Sequence, residues 1–357
     1  MIAIMMHLLT VRAFKIFSLL AVATHLFAQT APRPKDPRQI LENTFAQFSL
    51  LRPGITPWHL KTGVQLFDAR GALDEEGTIE MFYAGPDLSR TIYSFPSFTQ
   101  TRTVSSDGTS IEGKQTDIPY AMELAIHQMF QARPPESDFE GSTLLATTEK
   151  FQKMPFTCIM LSRKIYNREH GVEAPPIGLF PTFCVDQTEP VLRVSYLFGG
   201  NTTILYNSIG SFLQTHVATQ IVVFEAGHKL IEAKITDLRT LKEAGPEVFA
   251  ASPGAQRIAS TPAAVAASVV TGQIISKVQP SYPLSARSAH IAGPVHLRAK
   301  IGRDGSIREL RLIDAPAVSL AVESLRAVRQ WKYKPYMLKG LPAEVDTTIT
   351  VNFTIGL

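Results

Sequence analysis

From residue 58 onward the chain alternates apolar and polar positions. In WHLKTGVQLFD (Trp58 to Asp68), Trp58, Leu60, Val64, Leu66 and Asp68 share one parity, with His59 and Lys61 on the other. A two-residue period predicts a strand with one face turned to a core. GTIEMFYAGPDLSRTIYSF adds two strand-like runs joined at Gly85-Pro86-Asp87, and TQTRTVSSDGTSIEGKQT folds back at Asp107-Gly108. Those residues supply the backbone conformations that tight turns need. The period then changes. In PYAMELAIHQMFQA (Pro119 to Ala132), Met122, Leu124, Ala125, Ile126, Met129 and Phe130 recur at helical spacing behind a proline, which predicts a helix. Strand rhythm resumes in TFCVD, VLRVSYLFGGNTTILYNSIGSF and THVATQIVVFEAGHKLIEAKITDLRTL, with turn candidates at Gly199-Gly200-Asn201 and Ala226-Gly227-His228. Residues 37–241 therefore read as an α+β domain, a curved antiparallel sheet of half-barrel form with helices.

Residues 242–272 are rich in Ala, Ser and Pro and poor in charge. They read as a linker, whose ends as a flexible coil would lie about 30 Å apart; PAAVAASVV also fits a helix. Residues 273–357 carry a second pattern. GPVHLRAKIGRDGSIRELRLID is two strands closed at Gly302 to Gly305, with Val295, Leu297, Ala299 and Ile301 alternating against His296, Arg298 and Lys300. APAVSLAVESLRAVRQW has helical spacing after Pro316, and AEVDTTITVNFTI is a long β-branched strand. The order is β-β-α-β in a small C-terminal domain.

Composition narrows the function. The chain has 357 residues, 45% hydrophobic and 18% charged, enough to bury sizeable cores. The net charge of +4 is spread along the sequence without a basic run, which argues against a nucleic-acid partner. Arg12 and Lys15 precede the apolar stretch Ile16 to Ala28, with small residues at Ala21, Ala23 and Ala28. That order predicts a secretory signal over residues 1–28, cleaved after Ala23 or Ala28, or else an N-terminal anchor. Export places Cys158 and Cys184, two cysteines in all, in an oxidising compartment, and predicts a disulfide rather than two buried thiols. Closing that loop would constrain the unfolded chain by about 3–4 kcal/mol. The nine histidines form no zinc-type motif and no Gly-x-Ser-x-Gly elbow occurs. GRDG at Gly302 precedes a strand, not a phosphate-binding helix, and DEEG at Asp74 to Gly77 reads as a solvated loop. No catalytic residue, metal site or cofactor is expected; the chain does not read as an enzyme.

The C-terminal pattern resembles a known family. QPSYPLSAR (Gln279 to Arg287), the GPVHLRAKIGRDGSI hairpin, AVESLRAVRQWKYKP and the closing VDTTITVNFTI stand in the order and spacing of the C-terminal domain of TonB-type energy transducers. The resemblance implies a non-catalytic module, a helix on a small antiparallel sheet, that binds an outer-membrane TonB-dependent transporter by strand addition. The partner-binding candidates are then Tyr282 and the strand Glu344, Val345, Asp346, Thr347, Thr348, Ile349, Thr350, Val351 and Asn352, which no proline or glycine interrupts. Trp331, Tyr333 and Pro335 in RQWKYKP are read as a structural joint from helix to sheet; contact with the partner is the other reading. The family also implies a periplasmic location, with inner-membrane anchoring and proton-driven motor proteins as further partners. Here, however, Ser18 and His25 stand seven apart where the family places a Ser and a His three apart, and a β-rich domain replaces the long Pro-rich spacer. That domain, from Trp58 to Leu241, resembles exported proteins of LolA-like fold, an unclosed barrel sheltering hydrophobic molecules. The resemblance implies a second function, soluble periplasmic carriage of a lipid or other hydrophobic ligand, with Phe95, Phe98, Phe130, Phe198 and Tyr206 as candidate cavity walls.

Overall fold

Thirteen antiparallel strands make the larger of two principal sheets in the computed structural model of the chain. The structure describes residues 36–113, 118–151, 154–163, 165–167, 171–173, 175–189, 191–241, 245–259, 263–264 and 272–355. The segment read as a secretory signal or anchor lies outside them. Helix α1 (Pro37–Gln47) starts with Asp36 accepting from the Arg38 amide, and Pro37 follows at a position where no helical N–H is needed. The sheet then opens with β1 (Trp58–Phe67), β2 (Leu73–Gly85), β3 (Leu88–Ser94), β4 (Thr99–Ser105) and β5 (Gly108–Gly113). Helix α2 (Tyr120–Phe130) and the single turn α3 (Glu136–Phe139) interrupt the strands.

The sheet resumes with β6 (Thr143–Phe151) and β7 (Met154–Ser162), followed by a separate small hairpin of β8 (Ile165–Asn167) and β9 (Gly171–Glu173). Strands β10 (Thr182–Asp186), β11 (Leu192–Leu197), β12 (Thr202–Phe212), β13 (Thr215–Glu225) and β14 (His228–Thr240) complete it. Neighbours are mostly consecutive, and β14 returns to pair with β1 over nine residue pairs, closing the meander without closing a barrel. Helix α2 lies against β13 and β14. Its buried face of Met122, Leu124, Ala125, Ile126, Met129 and Phe130 joins Trp58, Leu60, Ile79 and Ile221 in one apolar core. Burying each large side chain of this set contributes about 1.5–3 kcal/mol. Cys158 and Cys184 face each other across β7 and β10 and form a disulfide.

One position of β1 departs from its alternation. His59 falls on the polar parity yet is only 3% exposed. Its Nε2 lies 2.6 Å from Glu80 on β2, its Nδ1 3.5 Å from Asp237 on β14, and its ring packs on Phe82. Glu80 supplies a hydrogen bond to one nitrogen, while Nδ1 has Asp237 nearby but no hydrogen-bond partner among the described residues.

The stretch read as a linker carries short elements. A 3₁₀ turn spans Pro246–Phe249, β15 (Gln256–Ile258) pairs with β5, and β16 (Ala263–Ala264) pairs in parallel with the last strand of the chain. Then come β17 (Ile274–Ser276), helix α4 (Leu284–Ser288), the hairpin β18 (Gly293–Ile301) and β19 (Ile307–Asp314), and helix α5 (Val318–Val328). Three short strands, β20 (Lys332–Tyr333), β21 (Tyr336–Leu338) and β22 (Leu341–Ala343), lead into β23 (Val345–Phe353). The second sheet runs β16-β23-β18-β19. Its inward residues, among them Val295, Leu297, Leu310, Leu312, Ile349 and Val351, pack with Leu320, Ala321, Leu325 and Val328 of α5 in a second core. That core also takes in Met160, Ile165, Leu179 and Phe180 from the first part of the chain. Lys35–Leu357 accordingly form a single compact unit.

Candidate functional site

The last strand is the natural place to begin. β23 pairs with β18 along its whole length, from Ile301↔Val345 to Gly293↔Phe353. On its other side β16 covers Val345 and Asp346, and among the described residues no strand pairs with it from Thr348 to Phe353. Val345, Thr347, Ile349, Val351 and Phe353 point into the core, while Thr348, Thr350 and Asn352 are exposed. An edge of this kind presents a row of backbone N–H and C=O groups to any extended chain that can lie beside it.

The sequence candidates separate into three groups around this edge. Thr348, Thr350 and Asn352 present side chains to solvent. Glu344 and Asp346 are engaged at the strand's start: Glu344 accepts from Arg308 at 3.2 Å, and Asp346 takes both arms of Arg298 at 3.1 and 3.0 Å. Tyr282 stands at the far end, its ring edge-on to Phe353 at 5.3 Å and its hydroxyl donating to the Ile291 carbonyl at 2.6 Å. Trp331 and Tyr333 are buried away from the edge. The Trp331 indole donates to the Val278 carbonyl at 2.7 Å with Lys277 over its ring, and Tyr333 has its phenol pushed up to about 12 by burial. The Tyr333 carbonyl lies 1.9 Å from where a Cβ on Gly305 would stand, and Gly305 has φ +81°, so the hairpin turn accepts only glycine.

A cavity of about 610 Å³ lies between the two sheets. Its apolar wall comes from Leu51, Met81, Tyr93, Leu124, Phe130, Phe183 and Leu197. Of the aromatic residues proposed for it, Phe130 and Phe198 line it. Phe95 and Phe98 instead stack on each other in the core, and Tyr206 is buried with its hydroxyl donating to Gln128 at 2.6 Å. Strand periodicity places a side chain on a face but does not say whether that face meets a neighbour or a void.

Periodicity also missed the cavity's polar wall, because its members come from distant segments. Arg102 on β4 pairs with Glu123 of α2 at 2.8 Å, and Glu123 accepts from Arg308 at 3.0 Å. Glu309 on β19 accepts from Tyr120 at 3.0 Å, Lys300 at 2.6 Å and Arg311 at 2.9 Å, and Arg311 also holds Asp138. Burial is the largest influence on Glu309 and pushes its carboxyl up, but Arg311 and Lys300 together hold it below its ordinary value. Asp138 goes the other way: burial raises it, and Arg311 recovers only part of the loss. His127 turns towards the cavity, and no hydrogen bond to its ring occurs among the described residues. His127 keeps an exposed face on the cavity, while the neighbouring protein atoms that desolvate it lower its pKa, with Glu309 opposing and Lys300 adding to the effect. No metal-binding cluster occurs among the described residues.

Comparison with known proteins places the C-terminal part. Residues 278–355 match the family model described as the Gram-negative bacterial TonB protein C-terminal. The chain is similar to Protein TonB of Klebsiella pneumoniae, 34% identical over 102 residues, which are 27% of this chain and 40% of that protein. It is likewise similar to Protein TonB of Vibrio cholerae serotype O1, 30% identical over 83 residues, 23% of this chain and 34% of that protein. The chain thus spans less than half the length of these relatives. Among solved structures, a LolA superfamily protein from Nitrosomonas europaea aligns at 11% identity and TM-score 0.37, over 60% of this chain and 97% of its own. A putative outer membrane lipoprotein-sorting protein domain from Vibrio parahaemolyticus aligns at 10% identity and TM-score 0.35, with the same coverage. The strand β23, the hairpin β18–β19 and helix α5 all fall inside the segment, residues 278–355, that matches the TonB C-terminal family model.

Proposed function

We propose that the chain is a non-catalytic cell-envelope protein that docks, through β23, onto an extended segment of an outer-membrane transporter. The observation that supports this most is the side of β23 from Thr348 to Phe353, along which no strand lies among the described residues, in a domain of TonB type. A partner strand laid there gains main-chain hydrogen bonds, each with a net value of about 0.5–1.5 kcal/mol, and reads Thr348, Thr350 and Asn352 for register. Because β16 already occupies Val345 and Asp346, the partner's pairing falls beyond Thr347. Photo-crosslinkers placed singly at Thr348, Thr350 and Asn352 test the reading in envelope preparations. Crosslinks to an outer-membrane transporter at these positions, absent from an exposed control at Val322 on α5, are the expected result. Crosslinks equal at all four positions, or absent from β23, would remove the support for strand addition.

A second reading has its own observation. The 610 Å³ cavity has the size and the mostly apolar lining of a small-molecule site, and supports carriage of a hydrophobic ligand. The two readings are compatible if the ligand-bearing part and the docking part work together.

A further inference from the structure

The TonB-type domain supplies part of the cavity's wall. Lys300, Glu309 and Arg311 line it from β18 and β19, opposite Tyr120, Glu123 and His127 of α2. A second link is conformational. Phe198 follows β11 with φ +54°, a left-handed backbone that costs a bulky side chain of order 1–3 kcal/mol. It is held there from the C-terminal side: Arg329, just past α5, donates to the Phe198 carbonyl. Leu325 of α5 packs so tightly on the next residue that a Cβ on Gly199 would lie 2.5 Å from its Cδ1. Burial lowers Arg329 to about 10, so its guanidinium is held at a desolvation cost that the carbonyl contact offsets. The Phe198 ring itself faces the cavity. The same helix end therefore docks the domain and sets one cavity wall.

We propose that the cavity is a composite ligand site completed by the C-terminal domain, and that its occupant latches this domain onto the half-barrel. The inference rests on the carrier reading above. The ligand class follows from the lining: an apolar body against Met81, Leu124 and Phe198, and an uncharged hydrogen-bonding group at His127. The charges of the polar wall are already satisfied by one another, and a net ionic head would have to break those pairs. A ligand that touches both parts binds the closed arrangement better than the open one and stabilises it by mass action.

The test uses the full chain and the neutral apolar fluorophore N-phenyl-1-naphthylamine. Titration gives its affinity, and hydrogen–deuterium exchange reports on residues 307–314 and 318–328 with and without the probe. The expected results are saturable uptake, exchange slowed at least about threefold in both segments, and affinity about tenfold weaker in Arg329→Gln, a loss the size of one hydrogen bond. Uptake must fall in Met81→Trp, which fills the cavity. If the probe binds the cavity but exchange is unchanged, the latch is refuted and the carrier reading stands. If the probe does not bind, or binds Met81→Trp equally well, the carrier reading fails and the latch with it. The exchange measurement needs only the wild-type chain, so it decides the matter even where Arg329→Gln does not fold.

Discussion

Arg308 is the residue on which the ionic contact between the two parts converges. Its side chain is 3% exposed and bridges Glu123 of α2 to Glu344 at the start of β23. Removing a cation from such a position leaves Glu344 without this partner and Glu123 with Arg102, so Arg308→Ala is expected to destabilise by about 3 kcal/mol. Arg308→Lys, which keeps the charge but not the planar guanidinium whose Nη1 reaches both carboxylates, should recover part of this. Urea unfolding with the disulfide intact measures both. Acid should act on the same contact through Glu309. Its folded-state pKa is lowered, so its stabilising contribution is present above its ordinary value of 4.5 and is lost as pH falls through the lower folded value. Asp138, whose folded-state pKa is raised, has the opposite sign: its contribution is present below 3.8 and is lost as pH rises through the folded value. Glu309→Gln is therefore expected to flatten the fall in stability on acidification, and Asp138→Asn to steepen it, in urea midpoints followed from about pH 6 down to pH 3.

Individual elements were legible where one period governs a whole segment. The hairpins turning at Gly85 to Asp87 and at Asp107-Gly108 correspond to β2–β3 and β4–β5, and the helical run after Pro119 is α2. The pattern fails where tertiary contacts override it. His59 is buried because β2 and β14 bring Glu80 and Asp237 to its two nitrogens, partners 21 and 178 residues away that no local window contains. Likewise the short strands β15 and β16 are too brief to have a period, and they exist because β5 and β23 offer them edges. At this scale the loop Phe198-Gly199-Gly200 is the sharpest test. Gly199→Ala forces a Cβ into Leu325 at a positive φ, and is expected to cost more than about 1 kcal/mol. Gly227→Ala, also at positive φ but with no atom within 4 Å of the added Cβ, should cost less. The difference, read from thermal or urea unfolding, isolates the packing of α5 against the half-barrel from backbone strain alone.

Across the whole molecule, the C-terminal domain was legible as a sequence pattern, and its motifs fall where the family model matches. What the sequence could not convey was the relation between the two parts. The linker composition suggested separation by a coil, whereas α2 and the β18–β19 hairpin meet through Tyr120–Glu309 and Glu123–Arg308, contacts made by residues 189 and 185 positions apart. The same meeting leaves the 610 Å³ cavity, whose walls come from both parts. A protein built this way holds the proposed docking edge on a segment packed against the larger sheet, within one compact unit. The claim that β23 is the contact element is tested most directly by hydrogen–deuterium exchange of the full chain mixed with a purified outer-membrane transporter. Docking at β23 predicts protection concentrated in residues 348–353, with residues 215–225 of β13 unchanged. A complex that forms while residues 348–353 exchange as fast as in the free protein would contradict it.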